Sequence, residues 1–201
     1  ATGSDVNFDV TLDGTFNLTV TAGTTGSVTF TGLVGDTAAL GAILINSANN
    51  VDTNGVKAAS FVQTTGQGTT TLDQGDFTPE TDEALTTTGA TGVSITNKNI
   101  ALNHAITTTG TGPVSLLATS NGGGTLVIAA NGDIVANNDV ELTATGGIST
   151  AGDVTTNAAG APVNYNSATT LTGNIAIDTT GGGATGSDVN FDVTLDGTFN
   201  L

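Results

Sequence analysis

Gly132-Asp133-Ile134, Gly152-Asp153-Val154 and Gly173-Asn174-Ile175 are three renderings of one phrase at nearly equal spacing. A glycine followed by Asp or Asn is turn chemistry, and a β-branched residue directly after it opens a strand. Gly75-Asp76-Phe77 begins the same way. A glycine register can be followed through Gly14, Gly35, Gly55, Gly75, Gly92, Gly112, Gly132, Gly152, Gly173 and Gly197. Two positions past the glycine stand Phe16, Phe77, Val114, Ile134, Val154 and Ile175, while Thr37, Lys57 and Ser94 interrupt the pattern. A unit of ~20 residues made of short strands and turns is the size of one coil of a β-solenoid. Such a coil cannot bury its apolar face alone, but stacked coils share one core.

Working outward, the segments between glycines alternate with period two. Val6-Asn7-Phe8-Asp9-Val10-Thr11-Leu12, Phe16-Asn17-Leu18-Thr19-Val20 and Val28-Thr29-Phe30-Thr31 place apolar residues on one side and Asn, Asp or Thr on the other. That is the signature of a half-buried strand. Leu40-Gly41-Ala42-Ile43-Leu44-Ile45 is denser, but Gly41 and the β-branched residues favour a strand there too. Val93-Ser94-Ile95, Ile100-Ala101-Leu102, Val114-Ser115-Leu116-Leu117, Leu126-Val127-Ile128 and Val140-Glu141-Leu142-Thr143 continue in kind. Nothing longer than a turn reads as helix, since Gly, Thr, Asn and Val dominate.

A longer period overlies the short one. Ala1 to Leu18 recurs without a change as Ala184 to Leu201, so that position 184 is position 1 again. The expected organisation is one complete tandem repeat of a continuous solenoid at 1–183 and the start of the next at 184–201, the chain being a piece of a longer array. On the glycine register a period holds nine coils, about 43 Å of rod at ~4.8 Å per coil. A whole number of coils would let copies join without a seam.

Composition narrows the partners. The net charge is −16, with Lys57 and Lys98 the only basic side chains. Such a balance repels phosphate backbones and anionic headgroups, so neither nucleic acid nor a membrane surface is an expected partner. No apolar run approaches the ~20 residues of a membrane span, so no membrane insertion is expected. There is no cysteine, hence no disulfide framework. Mean hydropathy of +0.15 with only 10% charged residues argues for a folded chain.

Gly112-Pro113-Val114-Ser115-Leu116-Leu117-Ala118, then Gly124-Thr125-Leu126-Val127-Ile128-Ala129-Ala130-Asn131-Gly132-Asp133-Ile134, lead into Val140-Glu141-Leu142-Thr143-Ala144-Thr145-Gly146-Gly147-Ile148. This run resembles the degenerate β-strand repeats of filamentous-haemagglutinin-like giant surface proteins of Gram-negative bacteria, clearly over about residues 92–180 and loosely over 1–91. The resemblance implies an all-β, right-handed parallel β-helix, exported and displayed as a long extracellular fibre, often adhesive. The expected role is then structural and not enzymatic: a rigid stalk built by end-to-end stacking on neighbouring identical repeats, with lateral self-association and a glycan or cell-surface ligand as further partners.

Candidate chemistry is sparse. His104 is the one histidine and lacks a Cys or second His with which to hold a metal. It is expected at a turn or on the surface. The least repetitive stretch runs from Leu72 to Ala84. Its carboxylates Asp73, Asp76, Glu80, Asp82 and Glu83 form a candidate divalent-cation site, Ca²⁺ being the natural occupant; no other cofactor is expected. A solvated acidic loop is the plainer reading of the same residues. A carbohydrate-active β-helix enzyme would use a pair of such acids, with Asp73 and Glu80 the residues to substitute. Asp5, Asp9 and Asp13 are expected to form an exposed acidic stripe on one strand face. Asn17-Leu18-Thr19 matches a glycosylation sequon. Gly122-Gly123-Gly124 and Gly181-Gly182-Gly183 read as turns. A further alternative keeps the adhesive role but divides the period into two Ig-like sandwiches of ~90 residues each.

Overall fold

Short β-branched segments with buried residues at every second position cannot satisfy their backbone alone, and here each does so against segments one turn away, on both sides except at the two ends. The computed structural model describes residues 3–77, 83–181, 183 and 185–201. The first turn carries β1 (Val6–Phe8) and β2 (Leu18–Thr21), the second β3 (Val28–Phe30) and β4 (Leu40–Ser47). The third carries β5 (Val51–Asn54) and β6 (Val56–Gln63), the fourth β7 (Thr69–Asp73) and β8 (Glu83–Asn97). Then follow β9 (Asn99–Leu102), β10 (Ala105–Thr108) and β11 (Val114–Ala118); β12 (Leu126–Ile128), β13 (Ile134–Ala136) and β14 (Val140–Ala144); β15 (Ile148–Thr150), β16 (Val154–Thr156) and β17 (Val163–Tyr165). The eighth turn holds β18 (Thr169–Leu171), β19 (Ile177–Asp178) and β20 (Val189–Phe191), and β21 (Leu195–Asp196) opens the ninth. No helix occurs among the described residues.

Every strand pair among the described residues is parallel, and the pairs sort into three faces. The first is the column Val6, Val28, Val51, Thr70, Ile100, Leu126, Ile148, Thr169, Leu195. The second runs Leu12, Val34, Val56, Leu85, Ile106, Ile134, Val154, Ile177. The third runs Leu18, Ile43, Phe61, Val93, Val114, Val140, Val163, Val189. Strands β6 and β8 bend around the corner between the second and third faces, which is why those two faces form one continuous sheet. The expected parallel β-solenoid is therefore the observed architecture. The paired-sandwich alternative fails, because Ig-like sandwiches are built from antiparallel strands.

The core is a set of apolar columns shared by successive turns. Val28, Ile43, Val51, Phe61, Leu85, Val93, Leu116, Ile134, Leu142 and Val163 are all fully buried. Some of the polar groups inside serve a corner. Thr108 Oγ1 donates to the Gly112 carbonyl at 2.9 Å, Thr156 Oγ1 to Ala161 at 2.8 Å and Thr179 Oγ1 to Ser187 at 2.8 Å. In each case a threonine at or just after the end of a second-face strand closes the turn into the third, and at Gly112 and Ala161 this keeps a buried carbonyl paired.

Two expectations about the repeat change. The first is the coil of ~20 residues, nine to the period. Along the first face the step from Thr70 to Ile100 is more than half as long again as the step from Val51 to Thr70 before it, and the other steps fall between these two. The coil holding residues 75–92, the shortest on the glycine register, lies in that longest turn. The glycines stack only in pieces. A Cβ on Gly55 would lie 2.3 Å from Gly75 Cα, and one on Gly112 would lie 2.3 Å from Gly92 Cα.

The second change concerns the period from Ala1 to Gly183, which is not a whole number of turns. In the first copy Val6 lies on the first face, pairing with Val28; its counterpart Val189 lies on the third face, pairing with Val163. Leu12 lies on the second face and its counterpart Leu195 on the first. From β1 to β20 the chain passes seven complete turns and two further faces. The period is thus seven and two-thirds turns, about 37 Å at ~4.8 Å per turn.

Candidate functional site

Of the five acids proposed as a cation site, Asp73, Asp76 and Glu83 are described, whereas Glu80 and Asp82 lie outside the described residues, as does Gly182 of the second glycine triplet. Asp73 ends β7, half-buried, and its Oδ1 accepts from Asn103 Nδ2 at 2.7 Å. Glu83 opens β8 and accepts from the Thr86 hydroxyl. Asp76 is exposed. Among the described residues no three His, Asp or Glu side chains gather as a metal ion would require. What anchors this stretch is apolar and cationic: Phe77 is buried, and Lys57 Nζ sits 3.8 Å from the centre of its ring. An ammonium over an aromatic face is attracted by the ring quadrupole, which ties the start of the acidic loop to β6.

His104 is half-buried at the bend between β9 and β10, and its Nδ1 accepts from the Gln74 backbone N–H at 3.2 Å. It lines an open cleft of about 260 Å³ with Gln74, Ala105, Ala130, Asn131 and Asp133. Among the described residues the carboxylate there is Asp133, whose Oδ1 accepts the Asp153 backbone N–H at 2.8 Å. The cleft thus brings the His104 imidazole and the Asp133 carboxylate together, each engaged with backbone in a neighbouring turn.

That engagement is general, and the sequence reading missed it. Asp5 Oδ1 accepts from Ser27 N–H, Asp13 Oδ1 from Thr37 and Ala38 N–H, Asn50 Oδ1 from Thr69 N–H, and Asp153 Oδ1 from Ala176 N–H. Each Asx side chain at a corner satisfies an amide of the following turn, a local use for which Asp and Asn are suited by their short reach. Asp5, Asp9 and Asp13 are exposed, but they are not a stripe on one strand face. Asp5 precedes β1, Asp9 follows it, and Asp13 lies past the next corner. Asn17 of the sequon does the same work, its Oδ1 accepting from Ala42 N–H at 2.8 Å.

Among the described residues the large exposed apolar side chains, Val127 apart, lie at the two ends of the rod. At the N-terminal end Val10 is 76% and Phe16 85% exposed; at the C-terminal end their counterparts Val193 and Phe199 are 54% and 46% exposed. Each end carries an aromatic pair, Phe8 on Phe30 at 4.8 Å and Phe191 on Tyr165 at 4.6 Å, both stacked. Tyr165 is fully buried, with its hydroxyl unpaired among the described residues. Burial pushes its phenol well above the usual tyrosine range, and the Asp153 charge pushes the same way. No protein-family model, curated protein or solved structure matches this chain, so the functional reading rests on the geometry of these ends.

Proposed function

We propose that the chain is a structural segment of a long extracellular fibre or giant surface adhesin, in which tandem repeats stack into one continuous right-handed rod. The observation that carries this is the docking of the second copy: its first strand, β20, continues the third-face ladder in register, Val163 to Val189 and Tyr165 to Phe191. A sequence that restarts on the growing edge of its own solenoid supports indefinite extension. The role is mechanical, it calls for no cofactor, and the partners are the neighbouring repeats, with lateral association between rods and a glycan or cell-surface ligand as further contacts. The resemblance to filamentous-haemagglutinin-like repeats supports display at the cell surface.

Electron microscopy of arrays of three or more periods tests the reading. The expected result is a smooth thin rod that lengthens by about 37 Å per period, from ~4.8 Å per turn. A beaded chain, or an increment near twice that, would overturn it.

A further inference from the structure

The structure assigns a partner to the N-terminal end: the C-terminal end of a preceding copy of this repeat, rotated so that successive copies are displaced by one face around the rod. The inference rests on the tandem-array reading and adds to it the contact and the rotation.

The contact is visible once in the chain, where the start of the second copy sits on the turn before it. Val163 N–H donates to the Asp188 carbonyl, Thr169 N–H to Thr194 and Ile175 N–H to Asn200, at 3.0, 2.8 and 3.1 Å. The equivalent carbonyls of the first copy, those of Asp5, Thr11 and Asn17, accept no backbone hydrogen bond among the described residues. Asn200 N–H donates to Asn174 Oδ1 at 3.0 Å, continuing the corner ladder that Asn17 extends to Ala42. The copies share local geometry as well as sequence, since Gly14 and Gly197 both have φ of 132°.

Side chains make the same case. At the N-terminal end an apolar cleft of about 130 Å³ is lined by Leu12, Gly14, Phe16, Leu18 and Leu40 among others. Under the second copy that position is taken. Gly197 packs on Leu171, where a Cβ would lie 2.7 Å from the Leu171 carbonyl oxygen, and Leu171 and Ile175 are each only 6% exposed. Leu171 and Ile175 of a preceding copy are therefore the groups that close the cleft. Phe16, with a turn only on its C-terminal side, is 85% exposed and Phe199, with a turn only on its N-terminal side, 46%, so the preceding turn covers more of this ring than the following one. The two aromatic pairs then merge into one ladder across the junction, Tyr165, Phe8 of the next copy, and its Phe30.

Because the period spans seven and two-thirds turns, each copy presents its groups one face further round. Any surface residue returns to the same side only after three periods, and an array displays each group on all three sides of the rod.

The chain has no cysteine, so engineered pairs report the docking directly. Asn164 and Asn190 are register partners pointing outward, joined by a 2.7 Å side-chain hydrogen bond. Partners one strand apart fall within the Cα separation a disulfide spans. The full chain carrying Asn164→Cys and Asn190→Cys is expected to oxidise within one molecule. Thr170→Cys with Asn190→Cys, the partners that a whole-turn period would bring together, is expected not to. Oxidation of the second pair, of both, or of neither overturns the face shift. In arrays, the full axial repeat is expected after three periods, about 110 Å at ~4.8 Å per turn; a repeat after one period overturns the rotation even if rods form. Failure to form rods at all would instead sink the fibre reading, while the disulfide result would stand.

Discussion

Tyr165→Phe is the substitution whose outcome follows most directly from the structure. The side chain is fully buried on the third face between Leu142 and Phe191, and its hydroxyl has no partner among the described residues. An unpaired buried hydroxyl costs about 1–3 kcal/mol, and phenylalanine keeps the ring and its stacking without that cost. At neutral pH the variant is expected to be more stable by about 1 kcal/mol, allowing for the small void left by the lost oxygen. Alkaline pH sharpens the test. The folded-state pKa is raised above 10.0 by burial and by Asp153, so the tyrosine's contribution is intact below the unfolded-state value. It drains away as pH rises past that value, because the unfolded chain ionises and the folded one does not. The loss is about 1.4 kcal/mol per pH unit until the folded phenol itself begins to titrate. Urea denaturation followed by circular dichroism from about pH 9 to about pH 12 reads this, and subtracting the variant's curve removes whatever the two chains share. A variant that is less stable at neutral pH, or pH curves that run parallel, would show that the hydroxyl has a partner and would refute the reasoning.

Other perturbations separate the forces at work. Leu116→Ala empties a fully buried position at the centre of the third face and is expected to cost about 2–5 kcal/mol in urea unfolding. Gly92 and Gly122 have similar positive φ, 65° and 68°, but a Cβ at Gly92 would lie 2.2 Å from the Pro113 carbonyl oxygen while one at Gly122 meets nothing. Gly122→Ala is therefore expected to cost only the conformational strain, about 1 kcal/mol, and Gly92→Ala clearly more; equal losses would mean that the turns slide freely past each other. Asp133→Ala should lower stability by about 1 kcal/mol through the orphaned Asp153 amide, and Asp133→Asn should recover most of it, since only the acceptor oxygen is needed.

Much of the fold was legible because the strands are short, alternating and repetitive. Val28-Thr29-Phe30, Ile100-Ala101-Leu102, Leu126-Val127-Ile128 and Val140-Glu141-Leu142-Thr143 fall in β3, β9, β12 and β14, and their period-two burial is what alternation predicts. The count of turns was not legible from glycine. Glycines mark corners, and corners absorb insertions: the Thr70-to-Ile100 turn gains its extra length after β7 without disturbing the register of Leu72 on Leu102. What holds the register is the inward-facing residue near each strand start, apolar except at Thr70 and Thr169, and its neighbours in sequence carry no mark of which face it will join. Val6 to Leu12 looked like one strand because the alternation continues unbroken through a corner; the chain turns after β1, and Leu12 pairs on the next face. The acids misled for a related reason. Asp5 and Asp13 read as surface charge, and only the stacking of turns reveals the amides of Ser27, Thr37 and Ala38 that they receive.

The fractional period also explains a feature of the composition. A repeat that returned after whole turns could give each face its own character, since like would always stack on like. Here the start of each copy lands one face over, so Val189 must fit on Val163 as its counterpart Val6 fits against Val28. Leu195 must likewise fit on Thr169, although its counterpart Leu12 pairs with Val34. Residues at the junction have to be acceptable to two faces at once. That favours a common alphabet of Val, Ile and Leu on all three columns, and at the junction a ring set on a ring, Phe191 on Tyr165, as Phe8 is set on Phe30 in the first copy. A seamless joint in a three-sided solenoid therefore demands a whole number of faces per period and a face-neutral core. It does not demand a whole number of turns.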